Sequence, residues 1–303
     1  MQRALGVAER MESRGRQVVR DHLTGQHREF FAGLRYLVLG AVDGQGLPWS
    51  TLREGSVGFI RVENERTLHI EADERLLDPA QSGLSNGNAV AALGIQLDTG
   101  RRNRANGWIV ESSRNGFDIG IEHSFGNCAK HIRLRDHLPL QAGSPPVNER
   151  AEFFRALEGR HIAMIGRADT FFVASYCERK DGARQVDVSH RGGCPGFIDV
   201  SRNGWLTIPD YAGNNFFNTL GNVLVTGKAG LTFPSFENGT LLQMTGDAEV
   251  NLNSGSSIRS RGAERTWRFR PRKIVERSDA FSFRLKLVSD LVLPPESPSV
   301  FGQ

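Results

Sequence analysis

Cysteine is scarce in this 303-residue chain: Cys128, Cys177 and Cys194 make an odd count with no C-x-x-C pair. That excludes a disulfide framework as the main support of the fold and points to a reducing compartment. No run of about 18 apolar residues occurs, so no membrane-spanning helix is expected. The opening segment, MQRALGVAERMESRGRQVVR, carries charge throughout and lacks the apolar centre of a secretory signal. Together these absences predict a cytoplasmic protein. His123, His131 and His137 fit no zinc-ligand spacing, and no Walker A lysine follows the glycine-rich stretches, which argues against a metal site or a nucleotide triphosphatase. Proline is also sparse, 12 against 34 glycines, a balance that suits many turns between strands.

What is present is ordinary for a soluble globular protein, with 39% hydrophobic and 24% charged residues. A mass of 33.5 kDa allows one large domain or two of usual size. The net charge of +4 suits anionic small molecules as well as nucleic acid and does not choose between them.

Along the chain, an amphipathic helix is predicted over residues 6–22, with Val7, Met11, Val18 and Val19 on its apolar stripe. A second is predicted over residues 26–34, with Phe30 and Phe31 facing inward and His27 as a surface or capping group. Strands follow at 36–42, 48–52, 58–62, 67–70 and 89–97, with loop or a short helix at 79–88. Asn106-Gly107 reads as a hairpin turn, preceded by Arg101, Arg102 and Arg104 at its tip. Strands at 108–112 and 117–122 continue the meander. The second half follows the same order: a helix at 148–157 whose Phe153-Phe154 echoes Phe30-Phe31, then strands at 170–175 and 184–189.

Gly196-Phe197-Ile198-Asp199-Val200 matches Gly58-Phe59-Ile60-Arg61-Val62 at an offset of 196 − 58 = 138. At that offset Arg191 falls on Arg53, Gly193 on Gly55, Leu206 on Leu68 and Ile208 on Ile70. Asn238-Gly239 mirrors Asn106-Gly107 as a further hairpin turn. The chain therefore reads as a two-copy duplication and not a solenoid. The expected boundaries are 1–138 for the first unit, 139–147 for a Pro/Gly/Ser-rich linker, 148–292 for the second unit and 293–303 for a disordered tail.

The stretch from Asp187 to Asn222, DVSHRGGCPGFIDVSRNGWLTIPDYAGNNFFNTLGN, organises the rest. Valine, isoleucine and aromatic residues broken by Gly-Gly, Pro-Gly and Asn-Gly predict two strands joined by turns. The first ends near Ser189; the second covers Trp205 to Pro209 and leads to a helix start capped at Asn214-Asn215. A basic pair, His190-Arg191, beside glycines and facing a helix N-terminus is a plausible phosphate seat. The plainer alternative is a tight loop with Arg191 merely solvated.

DVSHRGGCPGF followed by IPDYAGNNFFNTLGN resembles the flavin-binding signature of the pyridoxamine 5'-phosphate oxidase-like proteins, and more narrowly the predicted flavin-nucleotide-binding branch of the FMN-binding split β-barrels. QHREFFAGL at residues 26–34 resembles the N-terminal segment of longer members. The resemblance implies a mainly β protein with flanking helices: two fused FMN-binding split β-barrels forming an intramolecular pseudo-dimer. It implies FMN as cofactor, held by Asp187, Val188, Ser189, His190, Arg191, Ile208, Pro209, Asp210, Asn214, Asn215 and Asn218, with Gln243 in LLQMTG contacting the flavin ring. Residues 98–107 resemble a TRRRNRxNG segment of the same branch, with Gly100 departing from it. Arg101, Arg102 and Arg104 would reach an anionic substrate or the phosphate, or simply keep a turn soluble. SFGNCAKH at residues 124–131 resembles the family's SFGNCPxY, with Ala129 and His131 departing. Cys128 has no base beside it in sequence.

In the first copy Leu52 replaces His190 and Glu54 replaces Gly192, so one site is expected, in the second half. The function these readings predict is an FMN-dependent oxidoreductase acting on a small molecule, with electrons from a separate reductase or free nicotinamide. The alternative is a flavin or haem carrier or sensor without turnover. Neither nucleic acid nor a membrane is expected as partner; the basic run Arg259–Arg277, with Trp267 and Phe269 interleaved, reads as a barrel strand by its period of two. The chain is expected to be a monomer with an internal pseudo-dimer or a homodimer. No catalytic acid or base is identified.

Overall fold

Tyr36–Val42, the apolar run YLVLGAV, forms strand β1, and every residue of it is buried. An alternating pattern is absent because both faces are covered. The computed structural model describes residues 1–126, 130–138, 149–251 and 262–292. The expected linker, the tail and Cys128 lie outside these residues.

Helices α1 (Ala8–Val18) and α2 (Gly25–Ala32) precede β1. Then come β2 (Pro48–Glu54), β3 (Ile60–Asn64), β4 (Thr67–Ile70), β5 (Ala89–Gln96), β6 (Arg101–Ser113), β7 (Gly116–Gly126) and β8 (Arg133–Leu138). The second half runs β9 (Arg150–Phe154), α3 (Gly159–Arg167), β10 (Thr170–Glu178), β11 (Arg184–Gly192), β12 (Asp199–Val200) and β13 (Leu206–Tyr211). It closes with α4 (Asn218–Thr226), β14 (Lys228–Ser235), β15 (Thr240–Asn251), β16 (Ala263–Ser278) and β17 (Arg284–Val292).

The duplication is plain in the strand order. One sheet reads β2-β1-β5-β6-β7-β4-β3, and the other reads β11-β10-β14-β15-β16-β13-β12, the same sequence of equivalents. Register agrees: Val38 lies opposite Leu52 in one half, and Phe172 lies opposite His190 in the other. Leu52 and His190 are therefore equivalent, as the 138-residue offset requires. The molecule is a mainly β, split-barrel architecture with flanking helices, built twice.

Period-two alternation sorts the two central strands among three of the core's clusters. Odd residues of β1, Leu37, Leu39 and Ala41, join Phe30, Phe31 and Ile109 inside the first barrel. Odd residues of β10, Phe171 and Val173, join Leu231, Met244 and Trp267 inside the second. Even residues of both strands, Tyr36, Val38, Phe172 and Tyr176, meet with Val188 and Leu241 in a third cluster between the halves. The approach is close: a Cβ on Gly230 would lie 2.2 Å from the Pro48 carbonyl oxygen. Strand β17 crosses over to pair with β8, so the C-terminal strand of the second half is hydrogen-bonded to the first.

Three local expectations fail, each for a visible reason. Residues 150–154 form a strand paired to β16, with Phe154 opposite Ile274 and Phe153 71% exposed. The helix starts later because a capping box sits at Glu158, whose amide donates to His161 Nδ1 at 3.0 Å. The true echo of Phe31 is Ile165, at the 134-residue offset that relates β1 to β10 (165 − 31 = 172 − 38). Second, Asn106-Gly107 is no turn. The hairpin closes earlier, where Gly100, at φ 71°, donates to Gln96, and Gly107 sits at a bulge within β6. There a Cβ would fall 1.8 Å from the Gly120 oxygen, so glycine serves close strand approach. Asn238-Gly239 is a true turn, with Gly239 at φ 79°. Third, His27 is buried rather than superficial, with Nδ1 3.2 Å from Ser124 Oγ.

From Ala263 on, the basic run is the barrel strand β16, its first residues lying outside those described: Trp267 and Phe269 are buried, and the Arg268 guanidinium stacks over Trp205 at 4.3 Å. No helix among the described residues is long and apolar enough to cross a membrane.

Candidate anion-binding cleft between the halves

Strand β11 continues past Ser189 to Gly192, so His190 and Arg191 are strand residues and not part of a turn. A cleft opens beside them. The second half lines it with Ser189, His190, Arg191, Pro209, Asp210, Asn214 and Asn215, and the first half contributes Arg102, Arg104, Lys130 and His131. Counting its open mouth, the cleft has about 860 Å³ of space. Its lining holds four fixed cations, Arg102, Arg104, Lys130 and Arg191, against one carboxylate, Asp210.

Strand geometry explains which arginines arrive. Residues two apart share a face, so Arg102 and Arg104 both enter the cleft from β6. Arg101 takes the other face, exposed, its guanidinium 5.3 Å from the centre of the Phe30 ring. The expected hairpin tip is thus a mid-sheet strand, and two of the three arginines reach the site.

Asp210 orients two cations at once. Arg191 Nη1 donates to Oδ1 at 2.5 Å and Arg265 Nη1 donates to Oδ2 at 2.9 Å. Asp187 pairs with Arg104 at 3.1 Å across the interface and accepts from Asn218 Nδ2 at 3.4 Å. Ser189 Oγ and Thr219 Oγ1 lie 2.5 Å apart. The Asn-rich segment is not yet helical: Asn215 and Phe217 have φ 62° and 56°, and α4 begins at Asn218. This tight turn presents Asn214 to Asn218 along the cleft wall, with Thr219 behind.

His190 is 5% exposed, and its Nδ1 lies 3.1 Å from Arg102 Nη1. A guanidinium has donors only, so Nδ1 must accept and the proton sits on Nε2. Burial, reinforced by the nearby Arg102, holds the imidazole well below its ordinary pKa, and it is neutral at pH 7. His131 stacks on Tyr211, ring centres 5.1 Å apart, and burial lowers its pKa also. Gly192 admits the His131 backbone, since a Cβ there would lie 2.0 Å from the His131 oxygen.

Three buried donors on cleft-lining residues, His190 Nε2, Arg191 Nε and Arg104 Nε, have no hydrogen-bond partner among the described residues. Buried donors are nearly always paired, and each orphan costs about 1–3 kcal/mol. Three around one cleft fit a ligand rich in acceptors, as a phosphate is.

Not every expected residue lies here. Val188 belongs to the core between the halves and Ile208 to the second barrel core. Asp187 lines an adjoining cavity with Asn106, Glu122, Cys177 and Gln185, which shares Phe216 and Asn218 with the cleft. Gln243 is elsewhere. It is fully buried and donates to Ser50 O at 2.8 Å and Asp78 at 3.2 Å, and accepts from Arg277 at 3.1 Å. This is the pseudo-symmetric counterpart of the cleft, because Gln243 stands where Arg104 stands (Thr232 opposite Gln243, Leu93 opposite Arg104). There Arg53, Asp78 and Arg277 form a buried ionic network closed by Glu149 and Thr51. Burial alone would raise the Asp78 pKa, but Arg277 and Arg53 outweigh it and hold the carboxyl well below the usual range. Sequence reasoning missed Lys130 and His131 as cleft groups, and Arg265 as the second partner of Asp210. Only His131 was marked, by its departure from the family's SFGNCPxY pattern; Lys130 fills the pattern's open position, and nothing beside TWRFR marks Arg265.

No family model matches this chain, and no curated protein matches it. Among solved structures, it is similar to a candidate pyridoxamine 5'-phosphate oxidase from Lactobacillus delbrueckii, with 17% identity, 35% of this chain and 95% of that one covered, and a TM-score of 0.28. It is similar to HupZ of group A Streptococcus at 10% identity, with 34% and 93% covered and a TM-score of 0.28. The haem storage protein HutZ of Vibrio cholerae matches at 12% identity, with 40% and 95% covered and a TM-score of 0.26. Scores and identities this low transfer no function from one protein to another.

Proposed function

We propose that the chain binds FMN in this cleft and is an oxidoreductase of the pyridoxamine 5'-phosphate oxidase-like type, passing hydride or electrons between bound FMN and a small molecule. The observation that carries the reading is the set of orphaned donors, His190 Nε2, Arg191 Nε and Arg104 Nε, in a cleft lined by cations from both halves. The resemblance of residues 187–222 to a flavin-binding signature supports it independently of geometry.

FMN, when bound, supplies reversible electron and hydride chemistry, which no protein side chain here needs to provide. The chain's residues do the rest. Arg191 and His190 donate to the phosphate, and Asp210 keeps the Arg191 fork aimed while Arg265 shares the carboxylate's charge. Lys130 and Arg102 add positive charge from the first half. Phe197, Tyr211, Phe216 and Phe217 supply apolar wall. The adjoining cavity leaves room for a second molecule, the small-molecule substrate.

The absorption spectrum of the purified protein, with and without added FMN, tests the cofactor. Flavin bands that co-purify, or tight titration with FMN, are expected; no binding of FMN would end the proposal. Stopped-flow reduction by NADH or NADPH tests turnover. Saturable reduction is expected, whereas bound flavin reduced no faster than free FMN would favour a carrier.

A further inference from the structure

The Arg102–His190 contact is a polar intrusion into an apolar interface. Its equivalents in the first copy's site are Leu52, facing as His190 does, and Leu241, facing as Arg102 does (Pro234 opposite Leu241, Ile95 opposite Arg102). Both leucines are buried in the core between the halves. The second copy has replaced such apolar packing with a guanidinium and an imidazole, which must be desolvated to sit there. Interface stability does not call for that exchange.

We propose that Arg102 is a positioning residue that sets which class of ligand the cleft accepts. By donating to Nδ1 it fixes His190 as an Nε2–H donor. The cleft then offers that N–H to a phosphoryl oxygen and withholds an imidazole lone pair from an iron centre. The geometry allows no second arrangement: moving the proton to Nδ1 would set an N–H against the guanidinium at 3.1 Å, donor facing donor. A haem iron needs the unprotonated nitrogen. Because Arg102 comes from β6 and His190 from β11, the selection is made across the interface, by one half upon the other. This inference rests on the reading of the cleft as a phosphate seat, but not on the phosphate being that of FMN.

The tautomer is read directly by NMR of protein labelled with ¹⁵N-histidine, the signals assigned with His190→Gln. In the wild type, Nδ1 should carry the shift of an unprotonated ring nitrogen and Nε2 that of a protonated one. Arg102→Leu should lose this single tautomer, bind inorganic phosphate at least tenfold more weakly, and bind hemin at least tenfold more tightly with a histidine-ligated Soret band. Adding His190→Gln should abolish that band. Arg102→Lys, which restores a donor, should return both ligands toward wild-type behaviour. Arg101→Leu, on the opposite face, should change neither. An Nδ1–H tautomer in the wild type would overturn the proposal without need of any variant. So would wild-type hemin ligation through His190 as tight as in Arg102→Leu, or a wild type that binds no phosphate. FMN failing to bind where inorganic phosphate does would defeat the flavin reading and leave this one standing.

Discussion

Arg53 and Arg191 occupy equivalent positions, and substituting each by alanine should give opposite phenotypes. Arg191 is partly exposed, with 22% of its side chain accessible, and its partner Asp210 keeps Arg265 at 2.9 Å when Arg191 is lost. Folding should therefore suffer little. FMN should lose one charge-assisted contact, about 1.5–3 kcal/mol, which is roughly a ten- to 150-fold rise in Kd. Arg53 is 2% exposed beside Asp78 at 0%, and nothing in the cleft touches it. Removing it leaves a buried carboxylate with Arg277 at 3.1 Å as its remaining ion-pair partner. Breaking a buried pair costs about 3–5 kcal/mol, and the surviving arginine favours the lower end. At roughly 2–4 °C per kcal/mol for a unit of this size, the melting temperature should drop by roughly 6–12 °C. Circular dichroism melts and titration of FMN fluorescence quenching read the two effects separately. If Arg53→Ala weakened FMN as much as Arg191→Ala does, the assignment of the phosphate seat to the second copy alone would be refuted. An unchanged Kd in well-folded Arg191→Ala would refute the phosphate role.

A first half expressed alone, ending at residue 138, should self-associate or precipitate, because Val38, Leu93 and Ile95 would lose the face that buries them; a well-behaved monomer by sedimentation would count against the pseudo-dimer. Gly230→Ala should destabilise by about 1–3 kcal/mol, since its Cβ meets the Pro48 carbonyl across that interface, and urea unfolding measures this. Stability should fall as pH drops below about 6.5: the unfolded chain protonates at His190's ordinary pKa while the folded chain, with that pKa depressed, does not. His190→Gln should remove up to about 1.4 kcal/mol per pH unit from that slope, and urea midpoints from pH 7 to 5 would show it.

Much of the architecture was legible because it depends on local pattern. Apolar runs such as YLVLGAV and the repeat at offset 138 are visible in the letters, and sheet register then follows. The errors arose where one local signal had two physical uses. Asn-Gly marks a turn when φ is positive, as at Gly239, but at Gly107 the glycine serves a bulge where two backbones nearly touch. Phe153-Phe154 suits a helix face or a strand, and the Glu158 capping box decided it. Of the candidate cleft residues, those on β11 and the Asn-rich turn came together because they are close in sequence. Gln243 did not, because the pseudo-twofold relation sends it to the other copy's site. A motif read along one half cannot show which half's pocket a residue enters.

That exchange is also the reason a duplicated chain can do what a symmetric dimer cannot. Two identical subunits must build the same pocket twice, so any filler for one pocket fills both. Once the copies share a chain, each position has two independent letters. Arg104 and Gln243 are equivalent, yet one lines an open cleft and the other locks a buried network. Leu52 and His190 are equivalent, yet one packs apolar surface and the other carries an orphaned donor. In the first copy the ionic network of Arg277, Asp78 and Arg53 ties β16, the loop before β5 and β2 together across the halves. That network holds the interface in register, and the same interface sets Arg102 against His190 at 3.1 Å. On this logic the buried network of the first copy supports the cleft of the second. Arg277→Met, which removes a charge from the buried network, should loosen phosphate binding in the cleft without touching it, in step with the loss of stability and not beyond it. Isothermal titration with inorganic phosphate across a series of first-site variants would show the two quantities moving together, and affinity that stayed constant as stability fell would refute the coupling.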